Sequence, residues 1–259
     1  MTEGHSKGFS SVIWRAWAIP VLLLVMLEIY VTLAGQGSDS LAPPTQVAKT
    51  FALALVDGAL WEPTRFTLGA AATGLLLASL LGIVLGIVIG LSRRASTMSR
   101  LSVEVLRPVP PVALIPLSML VFGFGLSMEI SIVAFAAFWP MLILTQSAVQ
   151  QVEPRLLEVS RVLELSPIAR CFKVILPAIV PRLFVAFRLG VAVALVVAVT
   201  VEIAGNPHGM GYAMIVAQHS LQPELMLAWL LWIALIGYLI NQGALKLQRF
   251  IGRRMGEVE

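Results

Sequence analysis

The stretch Phe66-Thr-Leu-Gly-Ala-Ala-Ala-Thr-Gly-Leu-Leu-Leu-Ala-Ser-Leu-Leu-Gly-Ile-Val-Leu-Gly-Ile-Val-Ile-Gly-Leu91 contains no charged residue. About 20 mostly apolar residues, rising ~1.5 Å each, carry a helix across a ~30 Å hydrocarbon layer. Gly82, Gly86 and Gly90 recur every fourth position, a small-xxx-small row along which a second helix can approach closely. The stretch therefore reads as a membrane-spanning helix with a packing face. Composition agrees: of 259 residues, 58% are hydrophobic and only 12% charged, with mean hydropathy +0.91. A water-soluble domain of this size cannot hide that much apolar surface in one core. The expected fold class is an all-α, polytopic membrane helix bundle. Three His and one Cys, Cys171, leave neither a structural metal cluster nor an intrachain disulfide.

Five further apolar runs flank this one. Residues 17–34 form a first span interrupted only by Glu28, and residues 130–149 a fourth. Between them, residues 109–124 are short and proline-rich, so this third span is expected to begin near Ser102, to include Glu104 and Arg107, and to be kinked. Residues 179–204 and 225–245 complete six. Lys7 and Arg15 precede the first run as they would in a signal peptide. That run is longer than an h-region and no small-x-small site closes it, so a retained span is expected. Residues 35–63 read as an outer segment with turns at Pro43-Pro44 and Asp57-Gly58, and residues 45–56 have the spacing of a surface helix. A second outer loop, 205–223, carries Asn206-Pro207 and Gly209-x-Gly211.

Six spans place both termini on one side. Of the 18 Lys and Arg residues, 16 then group with the termini and only Lys49 and Arg65 lie opposite. Because cytoplasmic loops carry the excess of positive charge, the termini and residues 92–101 and 150–177 are expected to be cytoplasmic.

The cytoplasmic segment 150–177 contains Glu158-Val159-Ser160, then Glu164, then Val174-Ile-Leu-Pro177. Pro154 and Ser166-Pro167 are helix-start signals, so two short helices are expected, bearing Leu156, Val159, Val162 and Leu163. On the residues alone, an amphipathic connector packed on its own bundle accounts for them. The spacing, however, resembles the EAA loop of ABC-transporter permeases, whose pattern is E-A-A-x-x-x-G, nine residues, then I-x-L-P. Glu158, Leu176 and Pro177 match that pattern; Val159, Ser160 and Val174 are substitutions, and Glu164 stands where the family prefers glycine. A non-glycine residue in the left-handed conformation costs about 1 kcal/mol. Either this turn is built differently or Glu164 tolerates that strain. The resemblance implies that the loop docks a separate ATPase subunit, with Arg161 beside the matched glutamate.

A second resemblance rests on Arg107-Pro-Val-Pro-Pro-Val-Ala-Leu-Ile-Pro116 followed by Phe122-Gly-Phe-Gly125. It is similar to the R-P-x-P-P-x-A-x-x-P and F-G-x-G segments of permeases in the nitrate/sulfonate/taurine import group. Leu41-Ala-Pro-Pro-Thr45 and Val201-Glu-Ile-Ala-Gly205 also resemble that group, extending the likeness over residues 40–245. Prolines inside a span free carbonyls that can line a path where they face protein or water. Arg107, Pro110, Pro111, Pro116, Phe122, Gly125, Glu202 and Gly205 are accordingly candidate pathway or gate residues.

Carboxylates within apolar runs are costly and are read as functional by default. Glu28 serves an interhelical polar contact with a function, a structural pairing, or a lipid-edge position; Glu202 either contributes to the outer mouth or holds the Asn206–Gly211 loop. Glu129 is expected to cap the fourth span, complementing its helix dipole. His208 and His219 lack partners for a metal site and read as loop residues. No G-x-x-x-x-G-K-[ST] occurs among the residues, so ATP hydrolysis falls to another chain, and no cofactor is expected.

These features are expected to specify residues 64–245 as the permease domain, with 1–63 supplying the N-terminal tail, first span and outer segment, and 246–259 a cytoplasmic tail. The resemblance implies a type I importer permease of a bacterial inner membrane, multi-pass, passing a small solute such as nitrate, a sulfonate, taurine or a related organic acid. It further implies a second permease copy, ATPase subunits and an extracytoplasmic solute-binding protein as partners, with lipid around the bundle and no nucleic acid. Two other classes stay open on the residues: an ion-coupled secondary transporter, which would more often show inverted repeats, and a membrane-embedded enzyme, which needs a catalytic constellation at one face.

Overall fold

The computed structural model describes residues 7–34 and 41–254, with side chains placed over 18–33 and 41–253. His5, residues 35–40, the tail beyond Arg254, and the side chains of Lys7, Arg15 and Arg254 lie outside the described residues. The described chain is helical, with no strand. It comprises α1 (Lys7–Ala34), α2 (Pro44–Val56), α3 (Trp61–Leu91), α4 (Arg93–Leu106), a 3-10 turn (Pro111–Leu114), α5 (Ile115–Phe122) and α6 (Leu126–Gln150). There follow α7 (Pro154–Val162), α8 (Pro167–Arg170), a π turn (Cys171–Ile175), α9 (Leu176–Ala204), α10 (Gly209–His219) and α11 (Pro223–Arg254).

Among the described residues four helical runs are long and apolar enough to cross a membrane: Trp61–Leu91, Leu126–Gln150, Pro167–His219 and Pro223–Arg253. A fifth is made if the bent pair Arg93–Leu106 and Pro111–Phe122 is one span. The expected first span lies in α1, whose described apolar part is the shorter stretch Ala18–Leu33.

The third span is not the kinked helix expected from the sequence. It is broken outright, with an 83° bend between its halves. Arg107, itself helical in backbone, donates its N–H to Val103 O at 3.0 Å, and Pro108, which has no N–H, cannot carry the hydrogen-bond ladder further. Pro110 is the extended cap of the 3-10 turn, Pro111 opens that turn, and Pro116 sits in the first turn of α5. Prolines at helix starts sacrifice no internal hydrogen bond. Their placement makes a corner, where the same residues mid-helix would have made a strained bend.

The chain divides into two compact units, one of Met1–Leu60 with Ala213–Trp232, the other of Trp61–Tyr212 with Ile233–Glu259. In the first, Glu28 of α1 reaches the start of α2. Its Oε2 accepts the Thr45 N–H at 3.0 Å and its Oε1 accepts the Thr45 hydroxyl at 2.7 Å. Pro43, the residue preceding α2, offers no side-chain cap, so a carboxylate from the neighbouring helix satisfies an orphan donor where the helix dipole favours negative charge. Glu28 thus makes a polar contact between two helices. In the same unit Phe51 and Trp232 rings meet at 6.0 Å.

The second unit is built on α3, α6 and α9. The glycine row of α3 meets α6 at near-contact distance: a Cβ built on Gly82 would lie 2.6 Å from Met141 Cβ, on Gly86 2.7 Å from Thr145 Cβ, and on Gly90 2.8 Å from Val149 Cβ. Gly74 continues the row, its built Cβ falling 2.7 Å from Val133 Cγ1. Partners advance together along both helices, which makes α3 and α6 parallel. Parallel neighbours need a return crossing between them, and only residues 92–125 can supply it. Ala71, Leu75, Ala78, Val133, Ala137, Ala194 and Ala198 fill the three-helix seam with small side chains. At the far end of α6, Ala148, Val149 and Val152 pack with Ile175 and Ile179, which roots the α7–α8 segment in the bundle.

Candidate functional site

Two constellations stand at opposite ends of α6. The first is the α7–α8 segment. Pro154 occupies the first turn of α7, and Ser166 Oγ accepts the Ala169 N–H at 3.2 Å to open α8. One side of α7 faces the bundle: Leu157 packs on the cluster around Ile175, and Ser160, 1% exposed, donates its hydroxyl to Leu157 O at 2.7 Å. Val174 is half-buried in the π turn, Leu176 half-buried at the start of α9 against that same cluster, and Pro177 exposed in the first turn.

Glu164 adopts φ +48°, the left-handed conformation. Its N–H donates to Arg161 O at 2.9 Å and the next N–H, of Leu165, to Ser160 O at 3.1 Å. Those two bonds form a Schellman ending, the motif usually completed by glycine. The turn is therefore not built differently; glutamate occupies the strained position. Glu158 and Arg161 are exposed and, among the described residues, do not form an ion pair with each other.

The other side of the segment is apolar and exposed: Leu156, Val159, Val162 and Leu163 from α7 and its turn, with Ile168 and Phe172 beyond. Val162 is 83% exposed. Aliphatic and aromatic side chains thus stand exposed on one side of the segment, while a serine and a leucine anchor the opposite face. Ile168 and Phe172 escaped the sequence reading; their signal was the apolar spacing after Pro167.

The second constellation gathers where α6 begins and α9 ends. Glu129 stands in the first turn of α6, as expected, and is fully buried, its Oε2 accepting Asn206 Nδ2–H at 2.6 Å. Glu202, 1% exposed, accepts the Gly211 N–H at 2.8 Å through Oε2. Thr67 Oγ1 accepts the Met210 N–H at 3.0 Å. Close packing explains the glycines here: Gly209 has φ +91°, and a Cβ on it would fall on the Glu202 carboxylate. Glu129 Oε1, Glu202 Oε1 and Asn206 Oδ1 meet no donor among the described residues. The cluster ties residues 205–211 to three helices.

Of the predicted gate residues, Gly125, Glu202 and Gly205 come together here. Gly125 O lies 3.5 Å from Asn206 Nδ2, and a Cβ on Gly205 would sit 3.0 Å from Ile115 Cγ2. Pro111 is half-buried beside them in the turn that precedes Ile115, whereas Arg107, Pro110, Pro116 and Phe122 are exposed along the broken span. The hold of Glu202 on the 206–211 loop is one of the two roles the sequence offered for it; Glu129 and Thr67 as further partners were not foreseen, buried carboxylates at two span ends being the available signal. His208 stacks on Phe66 with ring centroids 5.0 Å apart. Among the described residues no group of His, Cys, Asp and Glu is placed to hold a metal ion.

A helical membrane bundle with an exposed apolar loop at one end and a buried polar cluster at the other fits a membrane-transport subunit. The family described as "binding-protein-dependent transport system inner membrane component" matches residues 78–257, and the chain belongs to it. It is a multi-pass permease component of an ABC importer, in which ATP hydrolysis belongs to a separate subunit. A Bacillus subtilis (strain 168) permease protein named for aliphatic sulfonates transport is 31% identical over 231 residues, 89% of this chain and 84% of that one. The nitrate import permease protein NrtB of Synechocystis sp. (strain ATCC 27184 / PCC 6803 / Kazusa) is 30% identical over 240 residues, 89% of this chain and 86% of that one. A solved structure of the MetNI methionine ABC transporter in an inward-facing conformation superposes with TM-score 0.60 over 74% of this chain and 94% of that one, at 21% identity. That last likeness bears on the fold.

Proposed function

We propose that two copies of this chain line one pathway, with residues 64–245 as the permease domain and both termini in the cytoplasm. An ATPase subunit seats on the exposed side of α7 and α8 in each copy. The observation that carries this reading is the apolar face from Leu156 to Phe172, solvent-exposed in the isolated chain while Leu157 and Ser160 anchor its back. Closure of the paired ATPases draws the two loops together. Because α7 is rooted through Ile175 and Ile179 in the bundle, that motion passes into α6 and α9. A solute-binding protein delivers at the opposite end, where the Glu129–Asn206–Glu202 cluster holds the 205–211 segment. The relatives named for sulfonates and nitrate support a small oxyanion, or a related organic acid, as the solute.

The test is retention of the ATPase on purified permease, with uptake and ATPase rates in reconstituted vesicles. Burying Leu156 or Val162 against a partner is worth roughly 1.5–3 kcal/mol, so the Leu156→Ala/Val162→Ala pair should lose the ATPase while the bundle stays folded. Glu158→Gln should keep the complex together but lower stimulated ATP hydrolysis and uptake in step, since a charge-assisted bond across the interface contributes roughly 1.5–3 kcal/mol. Full retention and full uptake in the double variant would return the loop to an ordinary connector.

A further inference from the structure

The last three turns of α11 carry Lys246, Arg249 and Arg253, which with Phe250 line an open groove of about 520 Å³. At about 100° per residue these four positions fall within an arc of roughly 60–100° on one helix face. Among the described residues neither Lys246 nor Arg249 forms an ion pair. One turn nearer the middle of α11, Gly243 is exposed, and a Cβ built on it would meet nothing within 4 Å. Continuing down the same face, Leu239 is 53% exposed and Leu235 is 41% exposed. The helix thus presents a single stripe whose chemistry changes along its length: aliphatic, then an open notch, then three cations flanking an aromatic ring.

Length places that change. From Pro223, about 20 residues cross the hydrocarbon layer, which brings Lys246 to its edge. Arg249 and Arg253 then stand roughly 5 and 10 Å further out, in the headgroup layer. Long basic side chains at a span end extend towards the interface, and basic pockets in that position bind phospholipid headgroups. Guanidinium groups match phosphate with paired donors.

We propose that this stripe is a binding site for an anionic phospholipid: phosphate on Lys246, Arg249 and Arg253, glycerol backbone in the notch at Gly243, one acyl chain along Leu239 and Leu235. The site rests on reading α11 as a membrane span with its basic end at the interface, and not on which partner powers transport.

The test is lipid retention. The full chain, alone and in complex with its ATPase, is purified in neutral detergent with equal phosphatidylglycerol and phosphatidylcholine, and bound lipid is counted by native mass spectrometry. Phosphatidylglycerol is expected to be retained over phosphatidylcholine by roughly tenfold or more, and inorganic phosphate in excess should not displace it. Lys246→Gln/Arg249→Gln/Arg253→Gln should bring the preference near one. Gly243→Leu, which leaves the charges in place, should lower retention of the two-chain lipid. No preference in the wild type, an unchanged preference in both variants, displacement by free phosphate, or loss of the lipid in the ATPase complex overturns the proposal. No transport is measured, so a negative result leaves the ABC reading intact.

Discussion

At Glu164 a glutamate holds a backbone conformation that suits glycine. With φ +48° and the paired bonds from Glu164 and Leu165 to Arg161 and Ser160, the Cβ clash of a left-handed residue is taken at about 1 kcal/mol. Leu221 repeats the arrangement after α10, with φ +55° and the Gln222 N–H donating to Ala217 O at 3.0 Å. Glu164→Gly should relieve the clash, offset in part by the greater freedom of glycine in the unfolded chain, for a net gain of a few tenths to about 1 kcal/mol in the local turn. Hydrogen exchange at the Leu165 amide reads it directly: exchange should slow by up to roughly fivefold. Faster exchange would mean that the glutamate side chain itself supports the turn. The position was legible in the sequence, through its offset from Glu158; its conformation was not, because propensity argues against glutamate there and only the tertiary anchoring of α7 at Ser160 overrides it. Glu28 and Glu129 show the same limit. Each was visible as a carboxylate in an apolar run, yet the Thr45 and Asn206 that receive them lie 17 and 77 residues away in the chain, beyond any local pattern.

Among elements, the pairing of α3 with α6 organises the second unit. Periodicity alone exposed the row Gly82, Gly86, Gly90, because a small residue every fourth position has few other uses in an apolar span. The row's extension to Gly74 and the identity of the partner helix came only with the structure, since any span could have filled the groove. Replacing Gly86 by Leu forces a side chain into Thr145, whose Cβ already lies 2.7 Å from the built position, and the backbone carbonyl of Leu142, at 2.9 Å, cannot move aside. Overpacking of this kind costs about 1–3 kcal/mol or more. Gly86→Leu should therefore lower the detergent melting temperature and the folded yield, while Gly69→Ala, inside the same helix at a site with nothing within 4 Å, should lower neither. Equal behaviour of the two would show that α3 and α6 do not meet along this face. The broken third span is the counter-case. Its prolines announced a disturbance, but whether they bend one helix or separate two depends on where each falls relative to a helix start, and Pro110, Pro111 and Pro116 all fall at starts.

For the molecule as a whole, which helix ends of the second unit coincide follows from packing before charge is considered. Since α3 and α6 run parallel, Leu91 and Gln150 lie at the same end of the second unit. There Ser96 of α4 accepts the side-chain amides of Gln146 and Gln150 at 3.0 and 3.2 Å, and a cavity of about 490 Å³ is lined jointly by Gly90, Arg93, Gln150 and Leu157. The helix α9 runs back, bringing Glu202 towards the start of α6 through the Asn206 bond to Glu129. Arg188 meets Asn241 at 3.4 Å, while a Cβ on Gly237 would lie 3.4 Å from Leu195, so α11 descends beside α9 with its basic end at the α7–α8 end. The arginines of α4, α7, α8 and the start of α9 therefore share one face with Lys246 and Arg249. A face so basic supports the proposed cytoplasmic placement. The expected result in a Cys171→Ser background is that cysteines at Met98 and Ser166, both exposed, stay unlabelled by an impermeant maleimide in intact cells and react once the membrane is opened. A cysteine at the exposed Gln222, in the segment joining α10 to α11, should react in both. If Met98 and Ser166 label in intact cells while Gln222 does not, the molecule is inverted and the proposed ATPase surface faces the wrong compartment. If Met98 and Ser166 segregate from each other, the parallel pairing of α3 and α6 is itself in error, and with it the return crossing assigned to residues 92–125.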